Sequence, residues 1–99
     1  MYRILIIEDE APARKKLKRY IEQVCNSHKI VAEIETVVEA KALLAKTNAF
    51  DLIFSDIELR DGNVFDVYKD LSFNCPIIFA TAYNEFLMNA FEANGIAYL

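Results

Sequence analysis

Short, almost wholly apolar runs alternate along the chain with segments whose apolar residues recur at helical spacing. Tyr2–Ile7 is the first such run and contains three isoleucines, as expected of a strand buried on both faces. Pro12 suits a helix's first turn, where its missing N–H costs nothing. Leu17, Tyr20, Ile21 and Val24 then form a buried helical stripe that ends near Asn26–Ser27. Ile30–Glu35 alternates instead, with Ile30, Ala32 and Ile34 on one face and Glu33 and Glu35 on the other, the pattern of an edge strand. Thr36 to Glu39 has capping-box spacing and opens a second helix through about Lys46. Leu52–Phe54 and Ile77–Ala80 are two more fully apolar strands. Val64, Phe65, Val67, Tyr68 and Leu71 mark a third helix between them. Asn84 caps a fourth, with Leu87, Ala90 and Phe91 inward and Asn94–Gly95 as its stop, and Ile96–Leu99 begins a fifth strand.

Strands alternating with helices imply right-handed parallel crossovers and an α/β fold in three layers. The alternating second strand belongs at an edge, and the apolar first, third and fourth belong inside. The expected sheet order is therefore 2-1-3-4-5, the flavodoxin-like arrangement. No internal repeat is visible, and residues 1–99 read as one domain.

Composition narrows this further. An apolar fraction of 55% and a charged fraction of 26% describe an ordinary globular chain, and two glycines with two prolines leave no room for linkers. A net charge of −4 argues against non-specific binding to nucleic acid or an anionic membrane. No run approaches the ~20 apolar residues of a membrane span. Tyr2–Ile7 is too short for a signal-peptide core and runs straight into acidic residues. Cys25 and Cys75 form neither a metal spacing nor a disulfide framework, so a reduced cytoplasmic setting is expected.

In a sheet of this order the ligand site lies beyond the carboxyl ends of the strands, where strand order reverses. Glu8, Asp9 and Glu10 follow the first strand, Asp56 follows the third and Thr81 the fourth. Clustered carboxylates repel one another unless a cation neutralises them. Oxygen donors without His or thiolate suit Mg²⁺, which keeps several waters and often also binds phosphate. Asp56 is then a candidate nucleophile toward phosphorus, and Thr81 a hydroxyl donor to a phosphoryl oxygen. Each residue taken singly has a plainer reading: acidic residues after strands cap helices, and a lone Thr is a turn residue. The conjunction of all three positions favours the site.

Ile4-Leu5-Ile6-Ile7-Glu8-Asp9-Glu10, Asp51-Leu52-Ile53-Phe54-Ser55-Asp56-Ile57 and Ile77-Ile78-Phe79-Ala80-Thr81-Ala82 resemble the three signature blocks of response regulator receiver domains. The resemblance runs in order over essentially the whole chain. Thr81-Ala82-Tyr83, Ala90-Phe91-Glu92 and Tyr98-Leu99 are similar to receivers of the LytTR (LytR/AlgR) class, which carry a DNA-binding output domain C-terminal to the receiver. The resemblance implies that Asp56 accepts phosphate from a histidine kinase. It implies Mg²⁺ ligation by Asp9 and Asp56, with Glu8 assisting directly or through water and the backbone carbonyl of Glu58 completing the protein ligands. Thr81 would be the switch hydroxyl and Tyr98 the switch aromatic.

Three departures from the family pattern stand out. Glu8 replaces the commoner Asp. Arg60 and Val64 stand where many receivers have proline and glycine, with Gly62 two residues earlier, so the loop after Asp56 is expected to take a different path. The family's lysine after the fifth strand, and a fifth helix, would lie past Leu99. A chain without them is expected to expose an apolar face and to be destabilised, or dimeric through that face.

Two rival functions compete with the phosphoacceptor: a pseudo-receiver acting only through protein contacts, and a Mg²⁺-dependent phosphohydrolase. The latter usually carries a second Asp two residues after its nucleophile, where this chain has Glu58. Arg14, Lys15, Lys16, Lys18 and Arg19 read first as a solvated helix face, and by the resemblance as a kinase-docking surface. His28 reads as an exposed turn residue, and the two cysteines as structural. Phe91 reads as core, while Tyr83 and Phe86 are open between core and a partner-facing surface.

Overall fold

The computed structural model describes residues 1–24, 27–47, 49–69, 76–79 and 95–98. In chain order the elements are β1 (Tyr2–Ile7), α1 (Ala11–Val24), β2 (His28–Ile34), α2 (Val37–Lys46) and β3 (Leu52–Ser55). They continue with β4 (Glu58–Leu59), β5 (Gly62–Asn63), α3 (Phe65–Tyr68), β6 (Ile77–Phe79) and β7 (Gly95–Tyr98). The main sheet has five parallel strands ordered β2-β1-β3-β6-β7, which is the expected arrangement once the small antiparallel pair β4–β5 is set aside. The expected fourth helix, the cysteines, Leu71, Tyr83, Phe86 and Phe91 lie outside the described residues.

β1 shows why residues 4–7 are all apolar. Ile4 and Ile6 pack with Ile21 and Phe54 under α1, while Leu5 and Ile7 join the larger core under α2 and α3. These four of the six β1 residues are fully buried, and each such side chain contributes about 1.5–3 kcal/mol. Thr36 caps α2 as its spacing predicts, its Oγ1 accepting from the Glu39 N–H at 3.1 Å.

β2 departs from its simple alternation. Ile30 pairs with Ile4 but Ala32 with Leu5, leaving Val31 unmatched in a bulge. Ile30 therefore packs on the α1 side, while Ala32 and Ile34 belong to the opposite core. The expected common face of these three residues does not form, because one extra residue reverses every side chain beyond it. The same shift sets Glu33 opposite Ile6, on the α1 side, where Arg14 and Lys18 meet it. Tyr20, expected in the buried stripe of α1, is 37% exposed; Leu17 and Ile21 carry the packing.

Candidate metal and phosphoacceptor site

β1 and β3 run parallel with Ile7 opposite Ser55, so Glu8 and Asp56 leave the sheet side by side. The ladder continues one step on each side: Asp56 N–H donates to Ile7 O at 2.8 Å and Glu8 N–H to Ile34 O at 2.9 Å. Glu8, Asp9 and Asp56 thus bring one carboxylate oxygen each to within 4.8 Å of one another. Asp56 Oδ1 accepts from the Ile57 N–H at 2.7 Å, which sets the rotation of the carboxylate.

Glu8 is the buried member, 9% exposed. Burial raises its carboxyl pKa to about 7, against the opposing pull of the Glu10 N–H, which donates to Oε2 at 3.1 Å. A hydrogen bond with the Asp9 side chain and the charges of Asp56 and Asp9 push in the same direction as burial. Burial and the neighbouring carboxylates both disfavour a negative charge on Glu8, and a cation bound among these oxygens would favour it. An all-oxygen donor set of this kind fits a hard divalent cation such as Mg²⁺.

Glu58 opens β4 two residues past Asp56, its side chain exposed and outside the carboxylate cluster. After Asp56, β4 and β5 form an antiparallel ribbon with Arg60 and Asp61 between its strands, and Gly62 opens β5 with φ of +149°. Tyr98 lies in β7, the strand beside β6. Thr81 lies outside the described residues, as does the ring of Tyr98.

Several residues around the site escaped the sequence reading. Ser55, fully buried, donates to Asp56 O at 2.8 Å and accepts from the Tyr68 hydroxyl at 2.8 Å. A serine inside an apolar strand was the available signal, since a buried hydroxyl needs partners. Arg14 does not lie on a solvated face: its side chain is 16% exposed, pairs with Glu33 and Glu35, and donates to Glu8 O at 2.9 Å. Its spacing with Leu17 and Ile21 puts it on the sheet-facing side of α1. Arg60 donates to Asp9 O at 3.0 Å and also meets Glu35 at 3.5 Å.

Residues 4–99 match the family model of the response regulator receiver domain. The chain belongs to that family. This receiver domain is 34% identical to the sensory transduction protein LytT of Bacillus anthracis, over 100% of the chain and 41% of that protein. It is 36% identical to LytR of Streptococcus agalactiae, over 98% of the chain and 41% of that protein. The chain therefore spans about two fifths of the length of these relatives. Among solved structures, the non-phosphorylated HemR receiver domain of Leptospira biflexa matches at 30% identity and TM-score 0.78, over 100% of this chain and 81% of that one. The response regulatory domain of mrkE from Klebsiella pneumoniae shares the fold at TM-score 0.83 and 24% identity, over 98% of this chain and 80% of that one. The chain is thus the receiver domain of a two-component response regulator with LytT- and LytR-type relatives. Among the described residues, no helix is long and apolar enough to cross a membrane.

Proposed function

We propose that this receiver domain takes a phosphoryl group from the phosphohistidine of a histidine kinase onto Asp56. In the full-length cytoplasmic regulator, the phosphorylated state is read by a C-terminal DNA-binding domain. The observation that carries the reading is the convergence of Glu8, Asp9 and Asp56 within 4.8 Å at the ends of β1 and β3. Asp9 and Asp56 would hold Mg²⁺, with Glu8 assisting directly or through water and the Glu58 carbonyl completing the protein donors. Bound there, the ion supplies positive charge that screens and polarises the incoming phosphoryl oxygens.

An Asp56 oxygen attacks phosphorus, an acyl phosphate bond forms, and the phosphorus–nitrogen bond breaks as imidazole leaves with a proton. The Ile57 N–H orients the attacking carboxylate through Oδ1. Thr81 donates its hydroxyl to a phosphoryl oxygen, and Tyr98 supplies the aromatic ring that reports the change. Lys15, Lys16 and Arg19, all exposed on α1, supply a cationic face for the kinase.

Acetyl phosphate or beryllofluoride with Mg²⁺ should modify or occupy the wild-type site, and Asp56→Asn should abolish the response with the fold intact. An unchanged response in that variant removes Asp56 from the role. No Mg²⁺ binding at millimolar concentration by wild type favours the pseudo-receiver instead.

A further inference from the structure

The turn that carries Glu8 and Asp9 is held by two guanidinium groups from different parts of the chain. Arg14 Nη1 donates to Glu8 O at 2.9 Å, and Arg60 Nη2 donates to Asp9 O at 3.0 Å. One carboxylate joins the two donors. Glu35 Oε1 lies 3.0 Å from Arg14 Nη2, and its Oε2 lies 3.5 Å from Arg60 Nη2. Arg60 belongs to the same loop as Asp56, four residues further on. The bridge therefore connects the two loops whose carboxylates converge.

We infer that Arg60, anchored by Glu35, is a positioning residue for the divalent cation: it fixes the Asp9 peptide and so the angle at which the acidic turn meets Asp56. The inference rests on the Mg²⁺ reading of the site. Its physical basis is the mutual repulsion of the clustered carboxylates, which opposes their approach within 4.8 Å. A carbonyl pinned from the opposite loop resists that repulsion. The exposed ion pairs themselves contribute little to global stability, since Arg60 and Glu35 side chains are 58% and 42% exposed. Their effect should fall on the metal and not on the fold.

Charge and position make opposite predictions for Arg60. Through-space repulsion between a guanidinium and a divalent cation weakens binding, so removing the charge alone would tighten it. Loss of positioning loosens it. Mg²⁺ affinity should be measured by calorimetry on the full-length protein, with melting in EDTA as the fold control. Arg60→Gln is expected to weaken Mg²⁺ by about tenfold, the lower end of what outer-shell partners contribute, with a near-wild-type melt in EDTA. Arg60→Lys should fall between, because one ammonium does not reproduce the planar fork. Glu35→Gln should weaken binding as well, and the double variant should be no worse than the poorer single, since both act through one bridge. Equal or tighter binding in Arg60→Gln, with wild type binding and Asp9→Asn failing to bind, overturns the positioning role alone. Absence of binding in wild type overturns the metal reading and the inference with it.

Discussion

Asp61 Oδ1 accepts a 2.7 Å hydrogen bond from the Val37 N–H, and its Oδ2 a 3.2 Å bond from the Val38 N–H. These are first-turn donors of α2 that no helix satisfies internally, and Thr36 reaches only Glu39. The ribbon after Asp56 thus completes the cap of a helix on another part of the sheet. The bond from Val37 is the main reason the Asp61 carboxyl pKa lies below its ordinary 3.8. A depressed carboxylate stabilises the fold above its unfolded pKa and loses that contribution as pH falls through the folded one. Asp61→Ala should therefore lower Tm by a few degrees at neutral pH. The gap to wild type should close below pH 3.8, as measured by melting over a pH series. A gap that widens on acidification would contradict the cap.

Gly62 makes that cap possible. Its φ of +149° is one that L side chains rarely adopt, while a Cβ there would meet Val37 Cγ2 at an ordinary 3.6 Å. Backbone strain, not crowding, sets the cost. Gly62→Ala should destabilise the domain by about 1–3 kcal/mol. Urea unfolding should show this as a lower midpoint with an unchanged slope. A neutral substitution would mean that the ribbon relaxes freely and the turn is not specified by glycine.

How much of this was legible beforehand depends on the range of the interaction. The buried run of β1, the capping box at Thr36 and the parallel order follow from local patterns, and the comparisons with known receivers agree on the family. The approach of Asp9 to Asp56 was legible because parallel strands deliver their following residues to one end of the sheet. The bulge at Val31 was not, since period-two alternation cannot reveal one inserted residue. Arg14 was hidden in a run of basic residues whose average suggested solvent. Asp61 and Arg60 act across the fold, on partners that spacing along the chain does not disclose. Thr81 fell within the third signature block and lies outside the described residues.

Ser55 and Tyr68 form a buried polar link beside Asp56. Ser55→Ala removes both the donor to Asp56 O and the acceptor for the Tyr68 hydroxyl, and should cost about 1–3 kcal/mol. Tyr68→Phe keeps the ring and its edge-on contact with Phe79, centroids 6.0 Å apart, and should cost about 1 kcal/mol. Chemical denaturation of the two variants should rank them in that order. Equal stability of Ser55→Ala and wild type would mean the link does not hold the loop.

Glu8 gives the site a pH dependence of definite sign. Its carboxyl pKa is raised from 4.5 to about 7, chiefly by burial, so the folded metal-free protein holds a proton there that the unfolded chain releases. Stability from this group is full below pH 4.5 and is lost as pH rises through about 7. A divalent cation reverses the trend, because it replaces that proton and favours the ionised carboxylate. Metal-free Tm should therefore fall between pH 5 and 8 by a few degrees, and the gain on adding Mg²⁺ should grow over the same interval. Glu8→Gln, which carries no ionisable group, should flatten both curves while leaving weaker Mg²⁺ binding through Asp9 and Asp56. Melts with and without Mg²⁺ at four pH values would decide it. A Mg²⁺ effect that declines toward alkaline pH in wild type would show that the Glu8 proton does not compete with the metal.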